Sequence, residues 1–186
     1  LTWLLSRYKF TAKMLSGCES ALEVGCADAF ATRIVRQEVP HLKVVDFDPL
    51  FIKDVCERMD PKWSFDAEVH NMLEGPVSPC NFDAVFSLDV IEHIHSEYED
   101  IFIKNMVKSL QTNGVMIIGT PSKESQNYAS PHSKEGHVNC KSAPDWKDLL
   151  NKYFHNVFYF SMNDEVIHTG YHKMAQYLFM LCTNKK

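Results

Sequence analysis

Ala21-Leu22-Glu23-Val24-Gly25-Cys26-Ala27-Asp28-Ala29-Phe30 is the stretch from which the rest of the chain can be read. An apolar run carries an acid and a glycine to the point where a short strand should turn into a helix. A second acidic cluster, Val44-Val45-Asp46-Phe47-Asp48-Pro49, follows about one strand–helix–strand unit later. That spacing describes a pocket of nucleotide type. Glycine at the strand end lets the backbone approach a ligand closely, the next helix points free N–H groups at it, and an acid ending the second strand can accept both hydroxyls of a ribose.

Working outward, residues 2–16 read as a leading helix with Leu4, Tyr8, Met14 and Leu15 near one face and Gly17 as its stop. Strand one is 21–24, a helix covers 30–39, a buried strand 42–47, and a helix 50–59 stops near Pro61. A third strand spans 65–69, and the Gly75–Pro79 turn leads to a fourth over 82–88. Helix 97–110 ends at Asn113-Gly114, and a fifth strand covers 115–119. Such alternation predicts a parallel sheet covered on both faces. The polar stretch 122–141 is too long for a routine connector and reads as a lid or binding loop. After a helix over 144–153, two strands, 156–162 and 174–182, follow without an intervening helix and predict an antiparallel pair. The expected fold is therefore α/β, a three-layer αβα Rossmann-like sandwich with a mostly parallel seven-stranded sheet and an antiparallel C-terminal strand pair. It forms a single domain over 1–186.

The 186 residues carry 19 basic and 24 acidic side chains, net −5, so there is no basic field to gather phosphate backbones and no nucleic acid partner is favoured. Six scattered cysteines show neither C-x-x-C nor zinc-ribbon spacing and read as free thiols of a reducing cytoplasm. No apolar run approaches the ~18 residues of a membrane span, so no membrane partner is expected.

The Glu23–Ala29 stretch, Asp46 lying 21 positions past Gly25, and Phe82-Asp83-Ala84-Val85-Phe86-Ser87-Leu88-Asp89-Val90-Ile91-Glu92-His93-Ile94 together resemble class I S-adenosylmethionine-dependent methyltransferases, in order and spacing more than in any one motif. The resemblance covers essentially the whole chain. It implies S-adenosylmethionine as cofactor, with Glu23 and Gly25 at the floor of its methionine part, Asp46 on the ribose hydroxyls, and Cys26, Ala27 and Phe47 among the other cofactor-binding residues. It further implies Asn71 and Met72 at the adenine, and Leu88 and Asp89 closing the pocket. Asn71 stands where the family often has an aspartate, and an amide oxygen can accept the same hydrogen bond. Asn71 also reads as a plain turn residue. The family's later glycines are replaced by Ala27 and Ala29, and a methyl group at Ala27 requires a negative φ there. Asp48 reads as a helix cap before Pro49, and Cys26 as a pocket-lining thiol without an activating neighbour.

A second constellation is Asp89-x-x-Glu92-His93 with His137 far downstream. It resembles the metal site of small-RNA 2′-O-methyltransferases, with relatives among ubiquinone-type O-methyltransferases. A Glu-His pair after the fourth strand also occurs in methyltransferases that use no metal, and a divalent metal at Asp89, Glu92, His93 and His137 is the less favoured of the two readings. His93 and His137 are the candidate general bases, since methyl transfer to a neutral hydroxyl needs the proton removed near the transition state and an imidazole is matched to that task. His132 and Tyr128 read as solvated loop residues, and the polar segment 163–171 as a wall of the acceptor pocket. The expected activity is methyl transfer to a small-molecule acceptor, at oxygen. The rivals are RNA 2′-O-methylation with a metal site and a non-catalytic cofactor-binding domain. A nicotinamide oxidoreductase is disfavoured because G-x-G-x-x-G is missing.

Overall fold

The computed structural model describes residues 1–186. Its eight strands are β1 (Ser20–Val24), β2 (His41–Asp46), β3 (Asp66–Val69), β4 (Phe82–Leu88), β5 (Leu110–Pro121), β6 (Phe154–Asn163), β7 (Val166–His168) and β8 (Tyr177–Lys185). They form one sheet in the order β3-β2-β1-β4-β5-β8-β6-β7. The first five pair in parallel, and β8 enters antiparallel between β5 and β6. The expected seven strands become eight because Asp164, at φ +49°, turns the chain tightly enough for Val166–His168 to pair back on Ser161–Asn163.

Both faces are covered, and the period of two explains how. In β4, Ala84, Phe86 and Leu88 join a core made with α1 (Thr2–Met14), α2 (Thr32–Arg36) and α3 (Pro49–Arg58). Val85 points the other way, with Met116 and Ile118 of β5, toward α4 (Glu99–Ser109) and α6 (Ala143–Leu150), where Phe102, Met106 and Trp146 are buried. The leading helix buries Tyr8 and Leu15 as expected, but Met14 lies toward solvent. Helix α2 is far shorter than the expected 30–39, because the positive φ of Ala29 postpones its start. Asp48 caps α3, its Oδ1 accepting from the Leu50 amide, with Pro49 at the first helical position. Helix α6 opens on a capping box between Ser142 and Asp145. The polar stretch after β5 is not a bare loop. It folds a 3-10 turn, Glu124–Tyr128, and a short helix α5, Pro131–Gly136.

Successive connections leave β1 in one direction and β4 in the other, so a crevice opens between their carboxyl ends at the point where strand order reverses. No helix is long and apolar enough to cross a membrane.

Candidate active site

The turn after β1 places Gly25 at φ +78°, and a Cβ there would sit 2.3 Å from Val90 Cγ2. Only glycine satisfies both the conformation and the space. Asp46, buried at the end of β2, ties the turn down. Its Oδ2 accepts from the Ala27 amide at 2.9 Å and its Oδ1 from the Asp48 amide at 3.0 Å. Ala27 and Ala29 stand at φ +46° and +50°, which corrects the expectation of a negative φ at Ala27. The turn keeps the left-handed shape that glycine would adopt, at a cost of about 1–2 kcal/mol for each alanine. Glycine gives back part of that through its freer unfolded chain. The Ala27→Gly/Ala29→Gly double variant should therefore gain about 1–2 kcal/mol, raising Tm by about 2–6 °C in thermal denaturation. An unchanged or lower Tm would show the turn to be unstrained.

Glu23 does not face open space. Its carboxylate is buried and accepts from Tyr8 Oη at 2.6 Å and Thr32 Oγ1 at 2.7 Å, so it binds α1 and α2 to the strand end. Burial pushes its pKa up to about 7, against the opposing pull of those two hydroxyls. An acid whose folded pKa is raised loses stability as pH climbs from its unfolded value near 4.3 through the folded one. Over pH 5–8, wild type should therefore lose on the order of 3 kcal/mol relative to Glu23→Gln. Urea denaturation at the two pH values measures this, and parallel pH profiles would contradict it.

The remaining residues expected at the cofactor stand at or just past the carboxyl ends of β1 to β4. Cys26 is buried and burial raises its thiol pKa, so it is no nucleophile. Phe47 projects from the end of β2 with 75% of its surface exposed. Asn71 Oδ1 accepts from the Leu73 amide at 3.0 Å, the geometry of a turn residue, while Met72 is buried with its carbonyl accepting from Asn105 Nδ2 at 2.8 Å. Leu88 is buried at the end of β4, and Asp89 turns at φ +58°.

Asp89, one residue past β4, lines a cavity of about 640 Å³. It is held there by Arg7, whose Nη1 lies 2.5 Å from Asp89 Oδ2 and whose guanidinium rests 3.8 Å from the Tyr177 ring centroid. Glu92, His93 and His137 line the same cavity. One ligand atom from each of these three lies within 4.8 Å of the others. The imidazoles of His93 and His137 are edge-to-face at 5.3 Å between ring centroids. His93 Nδ1 lies 2.8 Å from the Gly136 carbonyl, which can only accept, so the proton is on Nδ1 and the lone pair on Nε2. His137 Nδ1 lies 2.9 Å from Gln126 Oε1, and because Gln126 Nε2 donates to the Ser122 carbonyl the amide orientation is fixed. His137 therefore also keeps its lone pair on Nε2. Burial, followed by neighbouring His93, lowers the His137 pKa, so it is neutral at pH 7. Glu92, buried and hydrogen-bonded by Thr120, is pushed up to about 8, by burial first and by Asp89 second.

His137 reaches this position because its loop is clamped. The Asn139 amide donates to the Glu92 carbonyl at 3.0 Å, Asn139 Nδ2 to Glu99 Oε2 at 2.7 Å, and Lys141 pairs with Glu99 at 2.6 Å. Of the expected quartet Asp89, Glu92, His93 and His137, the last three converge and Asp89 is taken by Arg7. The far wall of the cavity is not segment 163–171, as expected, but Lys173–Tyr177, because β7 carries the earlier residues back onto the sheet edge. Tyr128 is a solvated loop residue as expected, and it also lies at the rim of the cavity. Arg7, Glu124, Gln126 and Tyr177 escape a sequence reading altogether, and the only local trace of Arg7 is its place beside buried Tyr8.

Against this geometry, a sequence family described as a methyltransferase domain matches residues 22–118, from the third residue of β1 into β5. The mitochondrial ubiquinone biosynthesis O-methyltransferase of Schizosaccharomyces pombe is 24% identical over 105 residues, 55% of this chain and 38% of that protein. The chain thus matches less than half the length of this curated relative. Among solved structures, the N-methyltransferase NodS from Bradyrhizobium japonicum WM9, in complex with S-adenosyl-L-homocysteine, superposes with TM-score 0.70 at 20% identity. The match covers 98% of this chain and 85% of that one. The methyltransferase domain of bacterial CtHen1 gives TM-score 0.77 at 12% identity, covering 97% of this chain and 99% of that one. The family match spans just over half of the chain, includes the glycine turn, Asp46 and the Asp89–His93 segment, and is joined by agreement in fold along nearly the full length; the chain belongs to the class I S-adenosylmethionine-dependent methyltransferase family.

Proposed function

We propose that the chain moves a methyl group from S-adenosylmethionine to a hydroxyl oxygen of a small-molecule acceptor, with His137 as general base. The observation that carries this is an imidazole whose Nδ1–H is fixed on Gln126 Oε1 and whose Nε2 is left free, in a cavity lined also by Asp89, one residue past β4.

The residues present fit the cofactor. Each Asp46 oxygen accepts one backbone amide, which leaves a lone pair on each for a vicinal diol. Gly25 allows close backbone approach, Phe47 offers an exposed ring just past β2, and on this reading Asn71 and Met72, just past β3, read the adenine edge. When bound, S-adenosylmethionine supplies an electrophilic methyl on a sulfonium. The protein's part is to align the acceptor hydroxyl and take its proton at His137 Nε2 as the new C–O bond forms. Arg7 holds Asp89 in place between the two ligands. Net charge of −5 and a cavity of bounded volume favour a small molecule over RNA. Six unpaired cysteines support a reducing, cytoplasmic setting.

Titration with S-adenosylhomocysteine tests the cofactor half, and a folded protein without affinity for it would favour a non-catalytic scaffold. A second reading places a divalent ion on Glu92, His93 and His137, since both histidines donate Nδ1–H to an oxygen, as metal-bound imidazoles do. On the general-base reading, methyl transfer continues undiminished in chelator. A loss restored by Mg²⁺, Mn²⁺ or Zn²⁺ would transfer the role to a metal.

A further inference from the structure

Helix α1 reaches the ends of two strands with two neighbouring side chains. Tyr8 donates to Glu23 on β1, and Arg7 pairs with Asp89 just past β4. Buried Leu15 seats the same helix in the core. The helix thus has anchors other than Arg7, and the surroundings of that side chain assign it a different task. It is only 12% exposed, with Nη1 engaged by the Asp89 carboxylate. Its guanidinium lies 3.8 Å from the Tyr177 ring centroid and 5.6 Å from that of Trp3. A cation enclosed in this way has little left to offer a ligand directly.

Asp89, by contrast, needs holding. Its φ of +58° lies in the left-handed region that most side chains avoid, although aspartate is among the residues that enter it. Two contacts fix it there. Arg7 takes the carboxylate, and the Asp89 amide donates to the Gly119 carbonyl at 3.0 Å. Tyr177 links the two, since its ring carries the guanidinium and also packs on Gly119, where an added Cβ would stand 2.7 Å from Tyr177 Oη. Helix α1, β5 and β8 therefore converge on one residue. The consequence extends one position along the chain, because Val90 occupies the space over Gly25, 2.3 Å from where a Cβ would be. The Gly25 and Cys26 amides in turn donate to the Val45 carbonyl at 2.8 and 3.2 Å, next to Asp46.

We infer that Arg7 is a positioning residue for the cofactor: from the cavity side, acting through Asp89 and Val90, it sets the shape of the Gly25 turn. This rests on the reading that the Gly25 turn receives S-adenosylmethionine. No bond is made or broken in the role. Residues that act through others in this way change affinity by about 2- to 30-fold, and energetic coupling between them, not proximity, is the evidence that counts.

The test is calorimetric titration of S-adenosylhomocysteine into the full chain, with the backbone amide of Gly25 followed by heteronuclear NMR. Arg7→Gln should raise the dissociation constant about tenfold and displace the Gly25 amide resonance. Arg7→Lys, which keeps a charge for Asp89, should recover most of both. Asp89→Asn should weaken binding as well, and adding Arg7→Gln to it should cost less than about twofold more. Leu15→Val loosens the same helix in the core, and should lower Tm while leaving affinity and the amide resonance in place. Unchanged affinity in Arg7→Gln, losses that multiply in the double variant, no recovery with lysine, or an equal loss in Leu15→Val overturns the inference. Should Arg7→Gln fail to fold, Val90→Ala decides, since it cuts the relay at its last contact: a comparable loss is expected, and unchanged affinity overturns the inference. A wild-type chain without affinity for S-adenosylhomocysteine would instead overturn the methyltransferase reading beneath it, so the two failures are distinguishable.

Discussion

Replacing His137 by glutamine is expected to lower kcat for methyl transfer by about 10²–10⁴-fold, the usual worth of a positioned general base, with cofactor affinity changed less than twofold. His137 lines the proposed acceptor cavity, hydrogen-bonded to Gln126, and the Gly25–Asp46 turn is not part of that lining. Its removal therefore spares the nucleoside contacts. The pH profile gives the sharper readout. Burial lowers the His137 pKa below its usual 6.5, so the wild-type rate should climb through a limb on the acidic side of that value and then level. The variant should lack the limb. Equal losses in turnover and cofactor affinity, or an unchanged acidic limb, would remove His137 from the role of base.

Asp46→Ala is expected to raise the dissociation constant for S-adenosylhomocysteine at least 100-fold in calorimetric titration. Two effects combine. The diol loses an ionised acceptor, worth about 1.5–3 kcal/mol per hydrogen bond. In addition, the Ala27 and Asp48 amides lose the oxygens that hold them, and a turn with alanines at positive φ has little reason to keep its shape without them. Asp46→Asn should be nearly as damaging, because one of the two backbone N–H groups would then meet an NH₂ donor. Unchanged affinity in either variant would mean that the ribose lies elsewhere.

The parallel half of the sheet is legible in the residues themselves. Val44, Val45 and the Ala84–Phe86 run are buried on both faces, and their β-branched and aromatic character is the mark of such strands. Asp46 and Gly25 announce a crevice because few other structures need an acid and a glycine at those strand ends. Backbone strain is harder to see. Ala27 and Ala29 read as helix formers, and only the hydrogen bond from a residue 19 positions away reveals that the turn overrides their preference. Length errors have a similar origin, as at β5, where Gln111–Gly114 stays within the strand by means of a register shift against β4. Arg7 and Glu124 are illegible for another reason: Arg7's partners Asp89 and Tyr177, and the cavity that both residues line, exist only after the sheet has closed.

Strand β8 sits inside the sheet although it follows all seven other strands along the chain, and its first residue, Tyr177, underlies Arg7. Until that segment emerges, β5 and β6 present bare hydrogen-bonding rims instead of an interior seam. A chain shortened before residue 177 would thus keep β1 to β5 in register beside a half-built chamber and two sticky borders.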